Sequence, residues 1–236
     1  MTTSRSRFIA RGAVVLCALF SSVASSQPRP ATLRPAATAP AAAPTGVQRF
    51  EVRPGGASRV SVTSDAPLET IDGVSTATTG NFTVNLSNPS AQITGRVAVA
   101  ANSIRTGSDM RDEHLRGENW LNAAQFPEIA LDITGTDLRG AIAANNPVRG
   151  TVRGRFSMHG QTRDVSVPVT VRLIPLSATE HAGMDQFGIN ADMLRVQGEF
   201  NVNLSDYGVS IFAPLRLKVS NQIRVRVDLT TFRTQG

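Results

Sequence analysis

Cysteine, lysine and the larger aromatic residues are almost absent from this 236-residue sequence. It has one cysteine, Cys17, one lysine, Lys218, one tryptophan, Trp120, and one tyrosine, Tyr207. Because Cys17 lies in an N-terminal segment that we expect to be removed, the remaining chain can form no disulfide and no thiolate metal site. Its stability must therefore come from a hydrophobic core.

The net charge of +6 does not indicate a nucleic-acid-binding protein. Five arginines and no acidic residue lie in positions 1–46, so the rest of the chain carries only +1. A nucleic-acid-binding surface combines a basic stripe with stacking aromatic residues, and this sequence has neither. One tryptophan and one tyrosine also cannot form the two aromatic girdles of an outer-membrane barrel. We therefore predict neither a nucleic-acid partner nor a membrane-spanning chain.

Residues 1–26 have the layout of a secretory signal peptide. Three arginines precede the apolar stretch Gly12–Phe20, and small residues follow it. A membrane anchor needs about 20 apolar residues, roughly twice the length of this stretch. We predict cleavage after Ala24 or Ser26 and a periplasmic or secreted protein.

A linker rich in proline and alanine follows at residues 27–46. It has no apolar period, and such a composition favours a semi-extended segment without a core. We predict that a single folded domain occupies residues 47–236.

Alternation of apolar and polar residues dominates this domain and predicts about eight strands. Gly, Pro, Asn and Asp separate the runs, which indicates an all-β antiparallel barrel or sandwich. Pro168 interrupts one run and predicts an edge position or a bulge. The apolar positions of the runs are Val60 and Val62; Phe82, Val84 and Leu86; Val97 and Val99; Ile129, Leu131 and Ile133; Phe156 and Met158; Val165, Val167, Val169 and Val171; Phe200, Val202 and Leu204; and Ile223, Val225, Val227 and Leu229.

One segment near residues 109–120 lacks alternation and is dense in charge. Asp112 and Arg116 are four positions apart, a spacing that supports a helical turn. Ser108 or Asp109 is suited to cap its start. The sequence predicts a short helical segment here.

Several distinctive blocks follow one another along the chain: Ile104–Gly117, Trp120–Asn122, Phe126–Ile129, Gly154–Thr162, Val165–Val171, Phe200–Val209 and Val219–Val225. Together they resemble the YceI-like family of periplasmic lipid- or polyisoprenoid-binding proteins. The resemblance covers about residues 50 to 232 and implies a lipocalin-like eight-stranded barrel with a helical segment near one end and an apolar lumen for a lipid chain. Gly55–Ser58 lacks the His-Ser pair that is frequent in the family, and Asp65–Thr79 matches it poorly.

The apolar faces of the strands supply the candidate ligand-binding residues. Periodicity alone leaves open whether these side chains fill the barrel as an ordinary core or line a cavity, and the resemblance favours a cavity. Trp120 and Phe126 either contact a ligand at the barrel mouth or anchor the helical segment to the sheet, and the second role is the commoner one. The candidate lumen residues are Phe82, Val84, Ile129, Leu131, Phe156, Met158, Phe200, Val202 and Leu204.

The charged cluster Arg111, Asp112, His114 and Arg116 invites a catalytic or metal-binding interpretation. No HExxH or paired-histidine spacing supports it, and residues two apart on a helix do not share a face. Ser205-Asp206 likewise indicates a turn and not part of a catalytic triad, because no GxSxG elbow accompanies it. We predict a structural cluster that fixes the helix to the barrel, with no enzyme activity, no metal and no cofactor.

The leading functional hypothesis is a non-catalytic carrier or sequestering protein for a polyisoprenoid, quinone or fatty-acid ligand. Burying each CH₂ group contributes about 0.8 kcal/mol, so a long chain binds without specific polar contacts. The alternatives are a ligand-free structural or partner-binding barrel, an outer-membrane barrel, and a metal- or acid/base-dependent enzyme. The sequence does not indicate an oligomeric state.

Overall fold

The computed structural model describes residues 46–55, 57–184 and 192–234. The predicted signal peptide and all but the last residue of the predicted linker lie outside these ranges. The first strand begins at Val47, where the sequence places the start of the folded domain. Within these ranges, no helix has the length and apolar character needed to cross a bilayer.

The described residues form ten strands, two α-helices and short 3₁₀ helices. The strands are β1 Val47–Val52, β2 Arg59–Asp65, β3 Thr70–Ser75, β4 Thr78–Asn85, β5 Ile93–Ala100, β6 Glu128–Thr136, β7 Val148–Met158, β8 Gln161–Ile174, β9 Met193–Asn203 and β10 Gln222–Arg233. The helices are α1 Asp109–Arg116, α2 Ala178–Met184 and the 3₁₀ helices Ala101–Ser103, Leu204–Tyr207 and Ala213–Leu217.

The ten strands form a closed, antiparallel barrel with eight strand positions around its wall. The order around the barrel is β1-β4-β5-β6-β7-β8-β9-β10, and β1 pairs with β10 to close it. The hairpin of β2 and β3 extends the same wall, since β2 pairs with β10 beyond the stretch that β1 occupies. β1 and β2 thus act as one interrupted strand, and β3 and β4 as its partner. The predicted eight-stranded barrel is confirmed.

The interruption between β1 and β2 is bridged by Ser58, which is fully buried. Its hydroxyl donates to the carbonyl of Thr230 and accepts the amide of Thr230, both at 3.2 Å. A side chain here replaces the backbone pairing that the break removes, so the wall stays closed.

Outward-facing positions of the barrel carry charged residues that pair across neighbouring strands. Arg195 on β9 meets Asp228 on β10 at 2.6 Å, and Arg226 meets Glu199 at 2.8 Å. Arg96 on β5 similarly binds an aspartate of β6. Exposed pairs contribute little stability each, but they mark this face as solvent-exposed and leave the apolar face for the interior.

The helix α1 is shorter than the sequence predicts. It begins at Asp109 after Ser108, as expected, but ends at Arg116 and not at position 120. The amide of Gly117 bonds to the carbonyl of His114 at 2.9 Å, and turns follow up to β6. Charge density extended the prediction past the glycine, which favours a helix end.

Pro168 lies where β8 lacks a partner on one side. It pairs with Thr151 of β7, whereas the register of β8 with β9 begins only at Val169, opposite Gly198. Proline has no amide hydrogen to donate, so it is tolerated at this locally unpaired edge. Closer to the β7–β8 turn, the β8 side of the barrel instead meets the 3₁₀ helix Leu204–Tyr207.

Candidate ligand-binding cavity

The barrel interior holds a largely apolar cavity of about 650 Å³. Successive side chains of a strand point to opposite faces, so each strand contributes every second residue to the interior. Eight strands enclose enough room either for close-packed side chains or for one slim ligand. The volume lies within the range of small-molecule sites, about 300–1,000 Å³.

All nine residues that the sequence assigned to the lumen line this cavity. They come from β4, β6, β7, β9 and the start of the 3₁₀ helix after β9. Their contact with a ligand stays a prediction. The apolar faces of β2, β5, β8 and β10 also line the cavity, and the same alternation identifies them, although they are not among the predicted lumen residues. The lining residues of these strands include Val60, Val62, Val97, Val99, Val167, Val169, Val171, Val225, Val227 and Leu229.

One end of the cavity is closed by the connection between β6 and β7. Leu138 and Ile142 from this connection line the cavity and are almost fully buried, at 2% and 1% exposure. The amide of Ile142 donates to the carbonyl of Leu86 at 2.7 Å, which fixes the connection across the barrel end. Among the described residues, the lining of this blind end is apolar.

The other end is open and holds all the polar side chains of the lining. It is framed by the β2–β3 turn, the segment leading into α1, α1 itself and the 3₁₀ helix Ala213–Leu217. Apart from Gly73 and Trp120, the remaining lining residues are aliphatic residues, phenylalanine or methionine. The cavity is therefore polar at its mouth and apolar in its depth. The polar residues at the mouth are Ser64, Glu69, Thr106, Ser108, Arg111, His114 and Lys218.

Trp120 and Phe126 occupy different environments. Trp120 is half-buried, packs against the core and lines the cavity. Phe126 does not belong to the lining. Its ring meets the ring of His159 edge-on, with centroids 5.4 Å apart, and covers Gly160 in the β7–β8 turn. Phe126 thus anchors the irregular segment to the barrel, whereas ligand contact by Trp120 stays a prediction.

A buried carboxylate holds α1 against the mouth. Asp112 is 1% exposed, and its Oδ1 accepts hydrogen bonds from the amide and the hydroxyl of Thr106, both at 2.7 Å. These bonds, together with the nearby Arg105 and Arg116, lower the pKa of Asp112 below its ordinary value, against the opposing effect of burial. Asp112 therefore has the structural, hydrogen-bonding role that the sequence predicts.

A second contact ties α1 to the β2–β3 turn. Arg111 Nη1 lies 2.7 Å from Glu69 Oε1, and both residues line the mouth. The turn itself is closed by the amide of Ala66, which donates to the carbonyl of Glu69 at 3.1 Å. Two elements that frame the opening are therefore joined directly by an ion pair.

Replacing Asp112 with asparagine is expected to lower the free energy of unfolding at pH 7 by about 1–3 kcal/mol, because a buried charge-assisted network is lost. A lowered folded-state pKa stabilises the protein above the unfolded pKa, and this contribution disappears as the pH falls through the folded value. Urea unfolding from pH 7 to pH 3 should therefore show the wild type and the variant converging on acidification. Asp109→Asn, at an exposed position of the same helix, is the matched control. A difference independent of pH would contradict this account.

His159 and the two residues of the predicted turn, Ser205 and Asp206, have structural partners. His159 Nδ1 lies 2.9 Å from the carbonyl of Tyr207, and Ser205 Oγ accepts from the side-chain amide of Asn221 at 3.1 Å. Asp206 accepts from Asn203 at 3.1 Å within the same turn. Over the described ranges, no group of three His, Cys, Asp or Glu residues is placed to hold a metal ion.

Comparison with solved structures identifies the same barrel elsewhere. BcnA of Burkholderia cenocepacia superposes with a TM-score of 0.57 at 15% identity, covering 73% of this chain and 95% of that one. A structure described as a polyisoprenoid binding domain from Saccharophagus degradans, implicated in plant cell wall breakdown, gives a TM-score of 0.57 at 14% identity, covering 78% and 98%. At these identities the likeness establishes the fold.

Sequence comparison adds the family. A UPF0312 protein of Yersinia pestis is 29% identical over 131 residues, which is 56% of this chain and 59% of that protein. The match thus spans less than two thirds of the curated relative. The model of the YceI-like domain matches residues 50–231, nearly the whole described barrel. This chain therefore belongs to the YceI-like domain family.

Proposed function

We propose that this protein binds one apolar, lipid-like molecule in its barrel and carries or sequesters it without chemical change. The observation that carries the proposal is the cavity, which is blind and apolar at one end and open and polar at the other. A ligand-free structural module needs no such space, and closely packed side chains would fill its interior. The open lumen therefore favours binding over that alternative.

The polarity gradient selects an amphiphile with a long apolar chain. The chain lies toward Leu138 and Ile142, and the polar end lies among the side chains of the mouth. A polyisoprenoid, an isoprenoid quinone or a fatty acid has this shape. The polyisoprenoid-binding description of the Saccharophagus degradans structure supports the first of these.

The polar groups of the barrel support a binding role and not catalysis. Asp112 is engaged by Thr106, Arg111 by Glu69, and His159 by a backbone carbonyl. Nucleophilic catalysis requires a nucleophile that is hydrogen-bonded to a base, and a third group that orients the base. We further propose that the chain is exported to the periplasm or secreted, on the strength of the signal-peptide pattern in residues 1–26.

Mass spectrometry of the purified protein, first under native conditions and then after organic extraction, tests the proposal most directly. A stoichiometric co-purifying lipid supports it, and the lipid mass identifies the ligand class. If the protein carries no lipid and also takes up neither an added fatty acid nor an isoprenoid quinone, the binding proposal is wrong.

A series of saturated fatty acids should show affinity rising with chain length. Each CH₂ buried contributes about 0.8 kcal/mol, which is close to a fourfold lower Kd per carbon. The increase should stop once the chain reaches Leu138 and Ile142 at the blind end. Isothermal titration calorimetry checks this. An affinity that is independent of chain length would place the ligand outside the cavity.

A further inference from the structure

Among the residues that the structure describes, large apolar side chains are exposed almost only at the mouth of the cavity. Of the six that are exposed in the described part of the chain, only Val47 lies elsewhere, at the opposite end of the barrel. The others form what we call the apolar rim: Leu68, Met110, Phe212, Leu215 and Leu217. Phe212 and Met110 are 70% and 71% exposed. Single exposed apolar residues need no explanation, but their concentration around one opening does.

The segments that carry the rim are bonded to one another. The amide of Leu68 donates to the carbonyl of Leu217 at 2.9 Å, which joins the β2–β3 turn to the 3₁₀ helix Ala213–Leu217. On its other side the same turn binds α1 through Glu69 and Arg111. The rim is therefore one ordered surface built from three segments.

The rim is continuous with the cavity. Met110 and Leu215 are both exposed to solvent and part of the cavity lining. An apolar molecule leaving the lumen at this point passes from the lining to the rim without crossing a fully polar boundary. A surface in contact with the rim would thus lie directly against the opening of the cavity.

Positive charge alternates with the apolar residues on one side of the rim. Arg216 and Lys218 are exposed beside Leu215 and Leu217, and among the described residues no carboxylate lies within ion-pair distance of either. The sequence from Tyr207 to Val227 contains no acidic residue at all. On the α1 side, the acidic Asp109 is exposed next to Met110, whereas Arg216 and Lys218 lie in the 3₁₀ helix Ala213–Leu217 and at its C-cap.

We propose that the apolar rim docks onto a lipid bilayer with anionic headgroups, with the 3₁₀ helix Ala213–Leu217 as the main point of contact. Interfacial segments bind membranes by burying apolar side chains at the headgroup boundary while basic residues attract anionic lipids. Phe212 and Leu217 supply the first feature, and Arg216 and Lys218 the second. The choice of a bilayer as occupant rests on the proposed function, because a membrane is where long-chain amphiphiles reside.

Flotation of the purified protein with vesicles tests the docking surface. We expect binding to vesicles of phosphatidylcholine with phosphatidylglycerol, weaker binding to phosphatidylcholine alone, and loss of binding at high salt because of screening. The double variant Phe212→Ser with Leu217→Ser should bind at least about tenfold more weakly. Val47→Ser, which removes an exposed apolar side chain at the far end of the barrel, should bind as the wild type does.

Two substitutions of Arg216 separate the electrostatic contribution to vesicle binding from the apolar contribution. Arg216→Gln should lower binding to the anionic vesicles about fivefold, whereas Arg216→Lys should retain it. The proposal is overturned if the wild type does not float with either vesicle, or if the double variant floats as well as the wild type. It is also overturned if the wild type is a dimer that the double variant makes monomeric, since the rim would then bind a second copy.

Uptake of a fluorescent fatty acid from solution distinguishes docking from ligand binding. Phe212 and Leu217 do not line the cavity, so the double variant should take up the fatty acid from solution as the wild type does. Normal uptake without vesicle binding would refute docking alone. Vesicle binding with no uptake in any variant would refute the proposed function and leave the docking surface in place.

Discussion

Tryptophan in place of Val97 should lower the affinity for a 16-carbon fatty acid about 100-fold. Val97 lies on β5 opposite Leu131 of β6, which in turn lies opposite Phe156 of β7, so it faces the middle of the lumen. An indole at this level divides the cavity, so the ligand can no longer occupy the half next to the blind end. Losing about four buried CH₂ groups costs about 3 kcal/mol of binding free energy, which corresponds to about 100-fold.

The matched control is Thr94→Trp, which adds an indole to the outward face of the same strand. Its affinity should equal that of the wild type. An eight-carbon fatty acid gives an internal comparison, because it needs less of the blind half and should lose less affinity in Val97→Trp. Fluorescence titration measures both. Unchanged affinity of Val97→Trp for the longer acid, in a protein with the wild-type Tm, would contradict binding in the lumen.

Replacing Phe50 with alanine should lower the free energy of unfolding by about 3–5 kcal/mol. Phe50 is fully buried and stacks on Phe82 with centroids 5.7 Å apart. It pairs with Phe82 on β4 and with Arg233 on β10, so it lies at the seam that closes the barrel. Typical domains are stable by about 5–15 kcal/mol, and this loss is a large part of that range.

Phe50→Leu is the matched control, because it keeps an apolar side chain at the seam and should cost only about 1 kcal/mol. Urea unfolding followed by circular dichroism gives both values. Equal destabilisation by alanine and leucine would contradict this account, because it would show that apolar volume at this position does not stabilise the seam.

Side-chain alternation is a local property, and this is why the sequence predicts so much of the barrel. Once Phe82 is placed inward on β4, Val84 must be inward as well, and the same parity holds along β6, β7 and β9. The candidate lumen residues therefore all face the cavity, even though neither its volume nor its ends could be foreseen. The helix start at Asp109 also follows from local signals.

Features that depend on distant partners were not predicted. The interruption after β1 is stable because Ser58 bonds to Thr230, 172 positions away. The blind end depends on Leu138 and Ile142, which lie in an irregular connection without any period. The exposure of Phe212 follows from where its segment lies against the mouth. An apolar residue in a loop gives no sign of whether it will be covered.

The closure of the barrel by β10 also determines when a binding site can exist. β10 pairs with β9, β2 and β1, and the amide of Thr234 just beyond it bonds to the carbonyl of Arg49, 185 positions earlier in the chain. Contacts of such sequence separation form slowly, since a long loop must close before they contribute. The lumen lacks a wall until β10 is in place, so the closed cavity exists only when β10 has paired with β9, β2 and β1. On the function proposed above, a ligand would bind and stabilise only the closed barrel, which would link ligand binding to the completion of folding.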